Sequence, residues 1–380
     1  MRGHRARLGT IAAIALTLAA AGQSAAASAA TQPSFQDAPP GFFAHAAIDW
    51  TVAGGWTVPR TQTTFGVGLP ATRQGVARVL ARLAQMAYGT PVQAHPYEQA
   101  VAAGWMAAGA GPTAAVTQLE LDRGVVNVLR LVPQIVQWSH GKTADGWTPP
   151  YPTGFGVEQV VRSLGIRPDI PQGFDSWELW PQNVVRRADL AWEAQAIAQI
   201  TPAKVAWARQ KAALWSEALP AWTPLQRAVL GFALRWSNAP YVYGGTSPNP
   251  QQLFGLPTAG GFDCSGFVWW VMKLQTYTTG QITWSGNAQI GALRTTEQMA
   301  EALAVPDRIA AGRFQPGDVL MWSSPSAGVN SSWQDVYHVG IALGNGWEIA
   351  AGSQGVAVQL LSTATPSQLA FGWRLLPPGE

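Results

Sequence analysis

Apolar residues recur at three- and four-residue spacing through the first half of the chain, from Phe42 to Leu219. This spacing places apolar side chains on one face of an α-helix. It is clearest in Val76–Leu83 and Val126–Leu131, and connectors rich in glycine and proline, such as Gly141–Gly154, separate the helical stretches. We therefore expect residues 30–220 to form a mostly α-helical region.

The second half of the chain, residues 221–380, has a different pattern. Apolar helix faces are predicted for Leu225–Trp236 and, after its opening residues, for Phe262–Leu274. Short apolar stretches follow, and Gly344–Gly346 (Gly-Asn-Gly) is a strong hairpin-turn pattern. The predicted strands are Asp318–Trp322, Val336–Leu343, Trp347–Ala351 and Val356–Leu361. Helices followed by a meander of strands predict an α+β fold for this domain.

A weak internal repeat runs through the helical region. The three similar stretches are Ala71–Ala77, Val116–Asp122 and Val185–Ala191. Each opens a predicted helix with a polar pair of residues and continues into an apolar face. Their irregular spacing excludes a strict solenoid. The helical region is thus predicted to contain three diverged repeats.

Positive charge is concentrated at the start of the chain. The sequence has 24 lysine and arginine residues against 21 aspartate and glutamate residues. Arg2, Arg5 and Arg7 account for the whole excess, because residues 1–29 contain no acidic residue. The rest of the chain is neutral and has no basic cluster, which argues against a nucleic-acid partner.

The first 29 residues have the pattern of a cleaved signal peptide. Met1–Arg7 is basic, Leu8–Gly22 is apolar, and Ala27–Ala29 (Ala-Ser-Ala) offers small residues where a signal peptidase cuts. The apolar run is shorter than the ~20 residues that a membrane-spanning helix needs. We therefore expect a secreted protein with no stable membrane insertion.

The single cysteine of the chain, Cys264, lies where a loop becomes an apolar helix. A thiol at a helix N-terminus is near the positive end of the helix dipole, so we expect the dipole to lower the pKa of Cys264. Asp263 and Ser265 are able to satisfy free backbone N–H groups at that end. A catalytic thiol also needs a base, and His338 is the only one of the five histidines in the second half. Cys264 and His338 are the candidate catalytic pair.

These residues belong to a set of motifs that resembles the NlpC-type family of bacterial cell-wall cysteine endopeptidases, which have a papain-like fold. The resemblance covers residues 225–375. The motifs that carry it are Ala239–Gly245 (APYVYGG), Phe262–Phe267 (FDCSGF), Gln315–Leu320 (QPGDVL), and His338–Ile341 (HVGI) with the Gly344–Gly346 turn. Four motifs in the family's order are a specific pattern. One departure is an insertion of about a dozen residues within Thr246–Gly261, which is expected to change the rim of the cleft.

The resemblance implies a role for each site residue. Cys264 would be the nucleophile, and His338 its base and later its proton donor. Tyr241 would polarise the oxyanion together with the Cys264 backbone N–H. Asp263 and Ser265 match family positions near the amine side of the substrate.

A second departure affects the third catalytic position. The family has a polar residue there that orients the catalytic histidine, and this chain has Ala350. Alternation along a strand places Glu348 on the same side as Ala350, so Glu348 is the tentative orienting residue. Gln354, in the following turn, is the other candidate. An imidazole without such a partner still acts as a base, although less efficiently.

In the helical region, residues 48–83 resemble an S-layer-homology repeat. The matching features are the Gly54-Gly55 loop, Phe65 and the segment Ala71–Arg73. In that family three repeats form a pseudo-threefold unit that binds an anionic cell-wall polymer, and the arginine after the threonine contacts the polymer. By position this implies Arg73 and Arg187, whereas Gln118 replaces arginine in the second repeat. The alternative is a helical spacer that binds no ligand.

Together these patterns predict a secreted, wall-associated thiol hydrolase that cuts a peptide-stem amide of peptidoglycan, with D-γ-glutamyl–diamino acid as the expected bond. Its expected partners are stem peptides and an anionic secondary wall polymer. Two alternatives stay open: a weak or inactive wall-binding structural protein, and an N-acetylmuramoyl-L-alanine amidase that uses the same residues. No phosphate-binding Gly-Lys-Ser loop or pair of zinc-spaced histidines occurs, so no cofactor or metal is expected.

Overall fold

Helices occupy the first half of the chain in the computed structural model, which describes residues 35–217, 219–273, 277–278, 281–282, 290–362 and 366–376. In chain order they are α1 (His45–Ala53), α2 (Arg73–Tyr88), α3 (Pro96–Ala102), α4 (Gln118–Val128), α5 (Val132–Ser139), α6 (Phe155–Leu164), α7 (Arg187–Ile197) and α8 (Pro202–Trp215). The side chains of Thr72 and Thr117 accept hydrogen bonds from backbone N–H groups of the first turns of α2 and α4. The predicted signal peptide, residues 1–29, lies outside the described residues.

The three segments that resemble one another in sequence pair in a closed ring just before α2, α4 and α7. The backbone N–H of Ala71 donates to the carbonyl of Val185 at 2.7 Å, and that of Val185 donates to Val116 at 2.9 Å. Val116 closes the ring by donating to Ala71 at 3.3 Å. Because each segment uses the same position to bond the next, the ring has pseudo-threefold symmetry.

The helices around this ring follow the same symmetry. Helix α2 packs against α3, α4 against α6, and α7 against α1. The helix that follows each ring segment therefore packs against a helix that precedes the next ring segment. The apolar faces predicted from the sequence form the core between them, with Val76, Leu80, Leu121 and Val125 fully buried.

The second half combines three helices with an antiparallel sheet. The helices are α9 (Pro224–Leu234), α10 (Cys264–Lys273) and α11 (Thr296–Glu301). The strands are β1 (Thr246–Ser247), β2 (Gln251–Leu253), β3 (Leu256–Thr258), β4 (Gly261–Phe262), β5 (Tyr277–Thr278), β6 (Gln281–Ile282), β7 (Ile309–Ala310), β8 (Val319–Ser323), β9 (Val336–Gly344), β10 (Trp347–Gly352), β11 (Gly355–Leu360) and β12 (Leu369–Trp373). The main sheet has the order β11-β10-β9-β8-β12-β7, with antiparallel neighbours. The predicted α+β fold is confirmed.

One local prediction, the hairpin turn, is also confirmed. Strand β9 ends at Gly344 and β10 begins at Trp347, so the predicted turn joins them, and Asn345 has a φ of 50°. The Thr246–Gly261 insertion forms short antiparallel pairs, β1 with β4 and β2 with β3. This insertion leads through β4 directly to the start of α10.

The helical half packs directly onto the sheet. Trp347 of β10 lies edge-on to Trp215 of α8 and to Trp138 of α5, with ring centroids 5.1 and 5.9 Å apart. The described residues all belong to one compact unit, Ser34–Glu380. The boundary predicted near Pro220 falls between α8 and α9, inside this unit, and stays a prediction. Within the described residues, no helix is both long and apolar enough to span a membrane.

Candidate active site

Asp263 fixes the start of the helix that carries Cys264. Its carboxylate accepts hydrogen bonds from the backbone N–H groups of Gly266 at 2.5 Å and of Gly244 at 3.0 Å. The first contact caps α10, as predicted for a polar residue at this position. Cys264 is therefore held as the first residue of α10, directly after β4.

The thiol of Cys264 is half-buried. Burial, together with the negative charge of Asp263, raises the pKa of Cys264 to about 11, although a hydrogen bond from the backbone of Val339 acts in the opposite direction. The prediction that the helix dipole lowers this pKa is wrong, because the loss of hydration outweighs the dipole. The thiol of Cys264 is therefore neutral near pH 7.

His338 lies on β9, one residue before Val339, whose backbone lowers the pKa of Cys264. It pairs across the sheet with Trp322 of β8, and the two rings are 5.1 Å apart at an angle of 55°. Burial lowers the pKa of His338 to about 4. The imidazole is therefore neutral near pH 7 and able to accept a proton.

Tyr241 flanks the same helix start. Its backbone forms a parallel bridge with Phe262, two residues before Cys264. Burial, and then the nearby charges of Cys264 and Asp263, raise the pKa of the Tyr241 hydroxyl. The hydroxyl stays protonated at any physiological pH and can donate a hydrogen bond toward the region of the thiol.

Glu348, the tentative orienting residue, lies inside the sheet. Its side chain is fully buried, and neither of its carboxyl oxygens has a hydrogen-bond partner among the residues that the structure describes. The carboxylate lies over Gly340, two residues after His338, since a β-carbon on Gly340 would come within 2.6 Å of Glu348 Oε2. Burial raises the pKa of Glu348 to about 8, and the charge of Lys211 in α8 acts in the opposite direction. No described residue donates or accepts a hydrogen bond at the His338 ring.

Gln354 makes its contacts away from His338. Its Oε1 accepts a hydrogen bond from the backbone N–H of Arg167 at 3.0 Å, and its Nε2 donates to the carbonyl of Ser353 at 3.2 Å. These bonds tie the turn after β10 to the helical half. Within the part of the chain that the structure describes, Gln354 thus joins the two halves and forms no hydrogen bond with His338.

Sequence reasoning missed Arg294, which lies beside the nucleophile. Its Nη1 donates to Ser265 Oγ at 2.9 Å, and its Nη2 donates to the carbonyl of Gly244 at 3.0 Å. The guanidinium also forms an ion pair with Asp263, with Nη2 3.3 Å from Oδ2. A half-buried carboxylate such as that of Asp263 needs a cationic or hydrogen-bonding partner. No feature of the sequence indicated that this partner is Arg294.

The two arginines predicted to bind a wall polymer make internal contacts. Arg73 is 4% exposed and donates to the carbonyl of Ala107. Arg187 is half-buried, and its Nε donates to the carbonyl of Phe65 at 2.8 Å. In both cases the guanidinium holds the loop of another repeat. Among the described residues no cluster of three or more His, Cys, Asp or Glu side chains is arranged to hold a metal.

Residues 238–374 match the family model described as the NlpC/P60 family. The C-terminal region is an NlpC/P60 domain. The matched range includes Tyr241, Cys264 and His338 and excludes the helical half. The structure around Cys264 is therefore that of a known family domain.

Curated relatives carry the same domain. Proteins named "Probable endopeptidase" from Mycobacterium tuberculosis and Mycobacterium bovis are 29% identical to this chain over 134 residues. The alignment covers 35% of this chain and 25% of each relative. This chain therefore matches about a quarter of the length of those relatives.

The C-terminal region is also similar to solved NlpC/p60 structures. The NlpC/p60 domain of the peptidoglycan hydrolase SagA is 27% identical, over 39% of this chain and 97% of that chain, with a TM-score of 0.27. RipD from Mycobacterium tuberculosis is described as a non-catalytic NlpC/p60 domain protein adapted to peptidoglycan binding. It is 18% identical over 41% of this chain and 100% of that chain, with a TM-score of 0.29.

Proposed function

We propose that this protein is a peptidoglycan hydrolase that cuts the D-γ-glutamyl–diamino acid bond of the stem peptide. The family match and the names of the relatives support the hydrolase class. The observation that carries the catalytic assignment is that helix α10, which begins at Cys264, packs against strand β9, which carries His338. The backbone of Val339, the residue after His338, lies close enough to influence the pKa of Cys264. The only thiol of the chain thus lies against the strand that bears the only histidine of the second half.

The reaction begins from a neutral thiol and a neutral imidazole. As the Cys264 sulfur bonds to the carbonyl carbon of the substrate, its proton passes to His338. The backbone N–H of Cys264 and the hydroxyl of Tyr241 donate to the oxyanion that forms. His338 returns the proton to the leaving amine when the C–N bond breaks. A water then attacks the thioester, with His338 accepting its proton, and the carboxylate product leaves as the thiol is reformed.

We further propose that Glu348 is the residue that supports His338. Gly340 has no side chain and Ala350 has a small one, and the carboxylate of Glu348 occupies the space between them. The family's third catalytic residue stands at the position of Ala350, and its side chain would fill this same region. Gln354 has no comparable support, because its amide is bonded to Arg167 and Ser353.

A second candidate is a non-catalytic domain that binds peptidoglycan. Two observations favour it: the described residues give His338 no hydrogen-bond partner, and the pKa of Cys264 is raised. The amidase alternative uses the same residues and differs only in the product released.

The helical region is proposed as a wall-binding unit of a secreted protein. Its pseudo-threefold ring supports the likeness to three S-layer-homology repeats. Because Arg73 is buried, Arg187 is the better candidate to contact an anionic polymer. Co-sedimentation of the full chain with purified walls, before and after extraction of their anionic polymers, tests this assignment. Equal binding to both preparations would contradict it.

The catalytic proposal is tested by incubating the full chain with purified muropeptides and identifying the products by mass spectrometry. The wild type should release products with a new diamino acid N-terminus, and Cys264→Ala should release none. Release of intact stem peptides from muramic acid would support the amidase instead. Identical products from the wild type and Cys264→Ala would refute Cys264 as the nucleophile.

A further inference from the structure

A groove lies between the helical half and the Thr246–Gly261 insertion, and the mechanism above makes no use of it. It is lined by residues between positions 176 and 186 of the helical half, by Trp236, and by residues 248–250 and 259–260 of the insertion. Its volume is about 650 Å³, within the range of roughly 300–1,000 Å³ that is typical of ligand sites. The groove therefore lies where this chain departs from the motif spacing of its family.

The aromatic wall of the groove is fixed by contacts between the two halves. Trp180 Nε1 donates a hydrogen bond to the carbonyl of Gly260 at 2.8 Å. Trp236 lies edge-on to Trp180, with 6.5 Å between the ring centroids and 78° between the ring planes. A β-carbon on Gly260 would collide with the carbonyl oxygen of Pro248, so the insertion loop packs directly on this glycine. The groove is thus built from hydrogen-bonded and tightly packed parts of both halves.

Three side-chain amides provide the polar groups of the groove. Gln182, Asn183 and Asn249 line it and are exposed. The amides of Gln182 and Asn249 form no hydrogen bond with any described residue, whereas Asn183 Oδ1 accepts one from the backbone N–H of Trp180 at 2.7 Å. Each side-chain amide has two N–H donors and an acceptor oxygen. The groove therefore offers a ligand several neutral donors and acceptors.

The ionisable side chains of the groove are occupied within the protein. Among the described residues that line it, only Glu178 and Arg186 are ionisable. Arg186 Nε donates to Asp189 Oδ2 at 2.7 Å, and the guanidinium lies over the Trp177 ring, 4.1 Å from its centroid. Burial raises the pKa of Glu178 well above its usual range, which disfavours its charged form. Because no unpaired charge faces the groove, a neutral ligand suits it better than an anionic polymer.

Indole rings together with neutral amides are suited to a chain of N-acetylated sugars. A pyranose ring has C–H faces that pack on an indole, and its hydroxyl and acetamido groups need donors and acceptors. The glycan strand of peptidoglycan is such a chain, and its muramic acid carboxyl is uncharged where it is amide-linked to a stem peptide. Gly260, at the edge of the groove, precedes Cys264 by four residues, a span of at most ~14 Å. A strand in the groove would therefore hold its stem peptides near the thiol.

We propose that this groove binds the glycan strand of peptidoglycan through its N-acetylated sugars, while a stem peptide attached to that strand enters the site at Cys264. The choice of this sugar chain rests on the proposed function, since it names a second part of the same substrate. The inference assigns a role to the insertion and to the packing of the two halves. It also separates a neutral glycan site from Arg187, the candidate contact for an anionic polymer.

The test measures sugar binding by calorimetry in the full chain with Cys264→Ala, so that it does not depend on turnover. The probes are the tetramer of N-acetylglucosamine and cellotetraose, a matched neutral sugar without acetamido groups. We expect the first to bind at least ~10-fold more tightly. Adding Trp180→Ala, or Gln182→Ala together with Asn249→Ala, should weaken its binding ~10-fold. The amide pair bonds to no described residue, so its loss leaves the fold intact. Trp50→Ala is the matched control, since Trp50 is an exposed tryptophan of α1 outside the groove.

Three results would overturn the inference: equal affinity for cellotetraose, an affinity that the amide double variant does not change, or an equal loss in Trp50→Ala. Tighter binding of poly(glycerol phosphate) than of the tetramer would also contradict it, because the groove would then select an anionic polymer. Competition between the tetramer and the free peptide L-Ala-D-γ-Glu-diaminopimelate would contradict it as well, since the groove would then be a peptide site.

A separate turnover assay with Cys264 intact decides the proposed function. Binding of the tetramer without cleavage of muropeptides would refute catalysis and leave the glycan site standing. Cleavage of muropeptides by a chain that does not bind the tetramer would refute the glycan site alone.

Discussion

The carboxylate of Glu348 lies against the backbone of Gly340, and a β-carbon on Gly340 would come within 2.6 Å of Glu348 Oε2. The two residues lie on adjacent strands, β10 and β9, and Gly340 is two residues from His338. The space beside the strand that carries His338 is therefore filled by the buried carboxyl group of Glu348, which reaches over a glycine.

Gly340→Ala should disturb this contact. The added methyl group would also lie 3.1 Å from the Ala350 side chain, so Glu348 has little room to move aside. We expect a loss of ~1–3 kcal/mol in the free energy of unfolding, measured by urea denaturation. Gly111→Ala is the matched control, since nothing lies near a β-carbon there, and it should change stability by less than ~0.5 kcal/mol. Equal effects of the two substitutions would refute tight packing at Gly340.

Glu348→Ala should reduce turnover much more than Gln354→Ala. The carboxyl group of Glu348 lies beside the strand that carries His338, whereas the side-chain amide of Gln354 accepts a hydrogen bond from the backbone of Arg167. We expect a loss of ~10-fold or more in kcat for the first variant and little change for the second, measured on a muropeptide. Because we propose that Glu348 acts by positioning His338, its replacement should also move the acid limb of the pH profile. The reverse order of effects would point to Gln354.

The thiol should react slowly in the folded protein. Cys264 is the only cysteine of the chain, so iodoacetamide reports on this site alone. With a pKa of about 11, the thiolate is scarce at pH 7. We expect alkylation ~100-fold slower than in the urea-unfolded chain, where the pKa is near 8.5. The rate should rise with pH until about 11. Rapid labelling of the native protein at pH 7 would show a stabilised thiolate instead.

The pH dependence of kcat/KM should show an acid limb set by His338. Burial lowers the pKa of this residue to about 4, so the neutral base is present above that pH and is lost as the pH falls through it. Activity should therefore persist at pH 5, where a histidine with an ordinary pKa near 6.5 would be mostly protonated. An acid limb near pH 6.5 would mean that His338 is far more accessible to water in the free enzyme than the structure indicates.

Local patterns predicted much of the fold. The helix that begins at Cys264, the strand that carries His338 and the turn at Asn345 were all evident from spacing and turn residues. These features depend on residues that are close together in the sequence, so one sequence is enough to predict them. The three similar helix starts were visible for the same reason.

The rest depended on contacts between distant parts of the chain. Arg294 meets Asp263, and Arg167 meets Gln354, across long sequence separations, and no periodicity encodes such pairs. The pKa of Cys264 was mispredicted because the helix dipole is a local property, whereas burial of the thiol results from packing against β9. The burial of Arg73 was not predicted, because its motif does not reveal that a neighbouring repeat covers it.

The most direct test of Cys264 as the nucleophile is detection of its covalent intermediate. The full chain is mixed with a muropeptide, quenched in acid within the first turnover and digested, and the peptide that contains Cys264 is weighed by mass spectrometry. A nucleophilic Cys264 requires the mass of an acyl thioester on that peptide, which disappears with time and is absent in Cys264→Ala. Product formation with no acyl mass on Cys264 at any time, or with undiminished rate in Cys264→Ala, would contradict the mechanism.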